Sequence, residues 1–344
     1  MLALRKTEAG QGLALVDLPP PPEPGPGQVR IRVAATGICG TDLAIDRWTP
    51  SYAGFMASVL PVTLGHETVG HIVSVGDGVD AGRVGRTVVV NPAVACGACG
   101  PCRAGDPVGC AARQPVGLVR DGAFAPFLLA PADYCYDLPD NVPVELGALA
   151  EPLSVGAHAL SVGGFRPGMR VVVLGPGPIG QGVAALARHL GAAQVAIVGQ
   201  DDGPRLEVLR GMGFQHCVDR ACDGADAELA RLAGDGFDLA VEAAGVGAAI
   251  DQGLALLRSR GVLVAAGMPE RPATVDIMRL VKYRLEIRGA SRIPPSAWGV
   301  VLSALAAAPS ALAPLITHRF PLAQADAALR LCHGRTPSKV LLLP

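Results

Sequence analysis

Two rhythms of apolar and polar positions divide this chain. Up to about residue 150, short runs such as VRIRVAAT, GHIVSVG and RTVVV are interrupted by Pro or Gly roughly every eight to twelve residues. Runs rich in β-branched residues and bounded by turn formers predict short strands, and their irregular spacing predicts an all-β domain. From about 153 to 289 the texture changes: VVVLG, QVAIVG, FDLAVEAAG and GVLVAAG alternate with the helical patterns QGVAALARHLGA, RLEVLRGMG and AAIDQGLALLRSR. That alternation predicts a parallel sheet with helices on both faces, an α/β fold. The tail adds a helix in FPLAQADAALRLCHG and a last strand in KVLLLP, while PPPPEPGPG at 19–27 reads as an extended surface loop into the first long strand.

Length supports the division, because 344 residues exceed the size at which one hydrophobic core usually stops growing. Half the residues are apolar, only 4% are aromatic, and 44 Gly and 30 Pro favour an ordered fold rich in turns. The formal net charge is −1 and Lys and Arg are scattered, so neither nucleic acid nor an anionic membrane surface is an expected partner. MLALRKTEAG has no apolar core before a cleavage site, and the longest apolar stretch, GVVLSALAAAPSALAPLIT, is broken by Ser and two Pro. A cytoplasmic location is therefore expected, where thiols stay reduced. Nine cysteines, odd in number and unevenly clustered, then suggest metal ligands sooner than disulfides.

VVVLGPGPIGQGVAALARHLG places Gly175, Gly177 and Gly180 as G-x-G-x-x-G directly after a buried strand and at the opening of a helix. The first glycine suits the tight turn, the second lets backbone approach a pyrophosphate, and the third permits close packing of the helix. The candidate cofactor set is Gly175, Gly177, Pro178, Ile179 and Gly180, then Gln200, Asp201, Arg205 and Gly267. Gln200 stands where a carboxylate usually takes the ribose hydroxyls. Asp201 and Asp202 follow it, and two acids beside the single cation Arg205 favour NAD over NADP.

Cys39 in VAATGICGTDLAIDRW and His66 in VTLGHETVGHIVSVGDGV offer the soft thiolate and the imidazole that zinc prefers, while Glu67 and Glu151 offer oxygens. Any one of these alone would pass as a core residue. GHETVGHIVSVGDGV, GICGTD, the four-cysteine segment CGACGPCRAGDPVGC, ALAEPLSVGAHA and GPGPIG together resemble the zinc-dependent medium-chain alcohol dehydrogenases, in that family's order along the whole chain. GLVRDGAFA, AEPLSVGAHA and the region of Trp48 resemble the threonine and polyol, sorbitol-type, branch.

The resemblance implies a GroES-like irregular β domain, 1–152 completed by 290–344, and a Rossmann doubly wound parallel-sheet domain at 153–289. It implies that Cys39, His66 and Glu151 bind a catalytic zinc, that Glu67 can exchange with Glu151 or water, and that Asp42 accepts the other N–H of His66. Thr41 matches the hydroxyl that takes the proton of the alcohol. Three residues on, many relatives carry a histidine that passes this proton to solvent; here the residue is Ala44, so the relay must end through cofactor ribose, water or a carboxylate. Ala93 likewise replaces a histidine usual in threonine dehydrogenases.

C-x2-C-x2-C-x7-C at Cys96, Cys99, Cys102 and Cys110 supplies four thiolates that can close around a structural zinc and leave no open position. An iron–sulfur cluster is the rival, but the common ferredoxin run has a shorter last gap followed by Pro. The expectation is thus two zinc ions per chain, a small-molecule alcohol or ketone substrate, NAD, and a homodimer or homotetramer. A non-catalytic or regulatory nucleotide-binding relative, or a zinc-independent enzyme like the quinone reductases, is the alternative.

Overall fold

The computed structural model describes residues 1–344. The chain forms two compact units, Met1–Glu151 with Ile316–Pro344, and Pro152–Leu315.

In the second unit six strands pair in parallel, in the spatial order His216–Asp219, Gln194–Gly199, Arg170–Leu174, Phe237–Glu242, Leu257–Ala265, Glu286–Gly289. Numbered along the chain this is 3-2-1-4-5-6, the doubly wound order whose direction switches between the first and fourth strands. The central strands are covered on both faces, which is why they read as unbroken apolar runs: Val171, Val172, Val173 and Leu174 are all buried. Helix Pro178–His189 lays Val183, Ala184, Leu186 and Ala187 into the core. The pattern AAIDQGLALLRSR was expected to be helical throughout. The helix instead ends at Leu256, and the next strand starts at Leu257 because Phe237 pairs with that residue.

In the first unit the long strand Gln28–Gly37 organises the main sheet. It pairs antiparallel with Glu67–Val75, Phe127–Pro131 and Lys339–Leu343. Leu2–Lys6, Ala14–Asp17 and Val62–Thr63 make a smaller sheet. Ile31, Ile72, Val88, Val90 and Leu128 fill one core, and Leu4, Ile45, Met56, Leu64, Phe124 and Leu342 fill another. The second core ties the C-terminal strand to the short helices Gly40–Asp46 and Pro50–Ala57.

The return to the first unit comes at Ile316, later than the expected residue 290. Helix Pro295–Ala307 buries Trp298, Val301 and Leu305 in the second unit. Ala304, Ala308, Ala311 and Leu312 face Ala185 and Leu186 across a cavity of about 110 Å³. These apolar faces hold 290–315 there. No single helix is long and apolar enough to cross a membrane.

Candidate active site and metal centres

Sheet register assembles the first cluster of candidate residues. Gly37 at the end of its strand pairs with Glu67 and also with Leu341, so the segments carrying Cys39, His66 and Lys339 converge. Cys39 precedes helix Gly40–Asp46 and donates its N–H to Asp42 Oδ2 at 2.9 Å, which closes the first turn and fixes the thiol-bearing residue. Asp42 is fully buried. Its other oxygen, Oδ1, lies 3.6 Å from His66 Nδ1, an ion-pair distance too long for a hydrogen bond, so both buried atoms lack a hydrogen-bond partner. The set of charges here is unusual for a core: Cys39, Asp42, Glu67 and Glu151 are acidic groups gathered around one imidazole and one ammonium.

The titration directions follow from that crowding. Burial pulls the His66 imidazole down, but Asp42, then Cys39 and Glu151, outweigh it and hold its pKa well above the ordinary value. Burial raises Asp42, opposed by His66 and the Cys39 N–H. Burial, with Glu67 and Asp42 adding to it, pushes Glu151 up to about 7 against the pull of His66 and Lys339. A thiol, an imidazole and a carboxyl gathered in this way form a donor set that a zinc ion would take over, with protons released as it binds. The orphaned His66 Nδ1 and Asp42 Oδ1 also fit, since a carboxylate behind a ligand histidine commonly orients its ring.

Glu67 is placed differently from the expectation of a ligand free to exchange. Lys339 Nζ donates to both Glu67 oxygens, at 2.7 and 2.6 Å, and to Ile38 O at 3.0 Å, all buried. Burial lowers the Lys339 pKa, but Glu67 and Cys39 more than offset it and the ammonium persists. Gly37 makes room for the pair, for a Cβ there would stand 2.0 Å from Glu67 Oε2. Lys339 was missed in the sequence because a single lysine ahead of VLLLP reads as a solvated strand end. The surplus of acidic candidates without a cation was the available signal. Thr41 is half-buried and its Oγ1 lies 3.3 Å from Tyr52 Oη.

The four lobe cysteines are brought together as expected. Their Sγ atoms all lie within 4.8 Å of one another. Cys96 N–H donates to Cys110 Sγ at 3.3 Å, and Cys99 and Cys102 sulfurs are also 3.3 Å apart. Backbone N–H groups of Cys102 and Ala111 draw the Cys99 pKa down to about 6. Burial, then the Cys99 and Cys110 sulfurs, push Cys102 up to about 12 while the Cys96 N–H lowers Cys110, so the proton of the cluster rests on Cys102 until a metal displaces it. Four converging sulfurs suit a tetrahedral zinc with no open position.

In the second unit the glycine loop has the required geometry. Gly175 takes φ of 99°, and a Cβ on Gly180 would lie 1.9 Å from Gly175 O. Gly177 precedes helix Pro178–His189 with no side chain capping it, and the space beside it is open except for Arg205 Nη1 at 4.0 Å. Pro178 and Ile179 form the first turn. Uncapped N–H groups at a helix start are a ready anion site. After strand Gln194–Gly199, Gln200 N–H donates to Asp202 Oδ2, and Asp219 accepts from the N–H groups of Asp201 and Asp202. Asp202 is buried and pairs with Arg205 at 3.7 Å, while Asp201 is exposed with φ of 55°. Gly267 packs where a Cβ would come 2.7 Å from Glu242 Oε2, and buried Glu242 accepts from Ala244 and Gly245 N–H. Glu242, at the end of FDLAVE, was not singled out in the sequence.

Residues 25–140 match the model of the alcohol dehydrogenase GroES-like domain, and 178–307 that of the zinc-binding dehydrogenases. The sorbitol dehydrogenase of Halalkalibacterium halodurans is 32% identical over 351 residues, covering 100% of this chain and 99% of its own. The chain belongs to the zinc-dependent medium-chain alcohol dehydrogenases. An L-threonine 3-dehydrogenase of Anaeromyxobacter sp. strain K is 33% identical over 345 residues, 99% of this chain and 98% of that one. Among solved structures, an Escherichia coli CFT073 protein described as a short chain alcohol dehydrogenase in complex with NADH superposes with a TM-score of 0.89 at 27% identity, covering 100% and 99% of the two chains. A Sinorhizobium meliloti 1021 protein described as a zinc-binding dehydrogenase, bound to NADP, gives 0.86 at 27%, covering 100% and 99%. The protein is thus an oxidoreductase of the polyol and threonine branch that exchanges hydride between a secondary alcohol and a nicotinamide dinucleotide. With this family, the non-catalytic and zinc-independent readings are not favoured.

Proposed function

We propose that this medium-chain dehydrogenase oxidises a polyol or amino alcohol to the ketone, with NAD favoured over NADP. Cys39, His66 and Glu151 would hold a catalytic zinc, and Cys96, Cys99, Cys102 and Cys110 a structural one. The observation that carries the reading is the Cys39–His66–Glu151 set, His66 buried and the other two half-buried, with buried Asp42 behind the imidazole. Zinc, when bound, supplies a Lewis acid that lowers the pKa of an alcohol and polarises a carbonyl. Thr41 Oγ1 takes the proton that the alcohol loses, and Asp42 holds the His66 ring. Lys339 keeps Glu67 from adding an unpaired charge, so Glu67 acts chiefly through the field at the site.

The NAD preference is supported by charge. Arg205, the cation nearest the ribose end, is already matched by Asp202, and exposed Asp201 would repel a 2′-phosphate. A homodimer or homotetramer is supported by helix Ile277–Tyr283, which leaves Ile277, Met278 and Val281 62%, 80% and 69% exposed, a surface suited to a second copy. Reduced thiols in the cysteine lobe suit the cytoplasm.

A spectrophotometric screen of polyols, amino alcohols and simple secondary alcohols with each dinucleotide tests the reading. Polyols or amino alcohols with NAD should give at least a tenfold higher kcat/KM than the other combinations. No reduction by the zinc-replete protein with any of them would overturn it.

A further inference from the structure

We propose that Tyr52 carries the proton onward from Thr41 to solvent, in the role that Ala44 cannot fill. The inference rests on the reading of Thr41 as the acceptor of the alcohol proton.

Thr41 Oγ1 and Tyr52 Oη are 3.3 Å apart, and either can donate. Hydroxyls both donate and accept, so a chain of two can hand a proton along without either group holding a net charge. The separation lies beyond the usual O–H···O range of about 2.5–3.0 Å, so the pair must tighten when substrate binds, as catalytic hydrogen bonds that are long in the empty site commonly do. Tyr52 is positioned by its own element. Its N–H donates to Thr49 O in the first turn of helix Pro50–Ala57, and its ring packs on the core that contains Ile45 and Met56. Tyr52 is half-buried, next to exposed Ser51 on the same helix, and the contact between the two hydroxyls is itself only partly buried.

Ala44, one helical turn beyond Thr41, has only a methyl group, and its carbonyl is taken by Thr49 N–H. Tyr52 therefore supplies the hydroxyl that continues from Thr41. In oxidation, the carbinol C–H electron pair leaves as hydride to the nicotinamide, which is reduced. The O–H proton goes to Thr41 Oγ1, the Thr41 proton to Tyr52 Oη, and the Tyr52 proton to water. The residue acts through Thr41 and is a positioning and relay residue.

Tyr52→Phe removes one oxygen and keeps the packing ring. Stopped-flow mixing of zinc-replete enzyme and NAD with trifluoroethanol, in weak buffer containing an indicator dye, reads proton release without turnover. The variant should release the proton at least tenfold more slowly than wild type, with zinc content and thermal midpoint unchanged. In steady state, kcat should fall and KM should stay constant. Release at the wild-type rate, or a change confined to KM, would overturn the relay. Thr41→Ala separates the two readings: loss of release in Thr41→Ala beside normal release in Tyr52→Phe removes only the relay, whereas normal release in Thr41→Ala removes the role of Thr41 itself.

Discussion

Lys339 is the residue on which the electrostatics of the first unit turn. It is 2% exposed, and Glu67, its partner through both oxygens, is fully buried. Breaking a buried pair from one side strands a charge, at a typical cost of about 3–5 kcal/mol, more than any packing gain from a lysine stem. Lys339→Met should therefore lower the unfolding free energy by about that amount in urea titration, and adding Glu67→Gln should restore more than half of the loss. A single variant as stable as wild type would show that Glu67 finds another partner. At this scale the legible residues were those whose chemistry is local. Cys39, Thr41 and Asp42 share one turn, and His66 sits in a recognisable motif. Lys339 lies 272 positions from Glu67 and meets it only through sheet register, which no local pattern reveals.

Among elements, the cysteine lobe and the glycine loop show what each segment can do alone. The lobe contains a helix of only four residues, Gly100–Arg103, and little apolar surface, so bound zinc would supply much of its order. Thiol reactivity should report this, because the thiolate is the nucleophile. At pH 8 the zinc-replete protein should alkylate first at exposed Cys222. Burial holds Cys135 at about 12 and Cys217 at about 11, so both remain almost wholly protonated. After chelation Cys99, with its pKa near 6, should be the first lobe residue to react, as seen by peptide mass spectrometry. Early labelling of Cys135 instead would mean that its strand opens. The glycine loop was legible because each glycine answers a steric demand, as at Gly180. The end of the helix before Leu257 was not, since tertiary pairing with Phe237 decides it.

For the whole molecule, two compact units divide the chemistry. One gathers the proposed metal ligands and the other carries the glycine loop proposed for the dinucleotide. The change of texture near residue 150 was visible in the sequence, and so was the order of strands and helices. The point of return was not: an apolar helix such as Pro295–Ala307 can be claimed by either unit, and its packing near Ala185 and Leu186 settles the matter. Two clusters of different character follow from this organisation, one of four converging sulfurs, the other a mixed set of thiol, imidazole and carboxyl. Metal analysis alongside turnover measures that claim most directly. Wild-type protein should hold two zinc per chain, and Cys39→Ala should hold one and be inactive while its fold persists. One zinc in the fully loaded wild type, or an active Cys39→Ala, would contradict it.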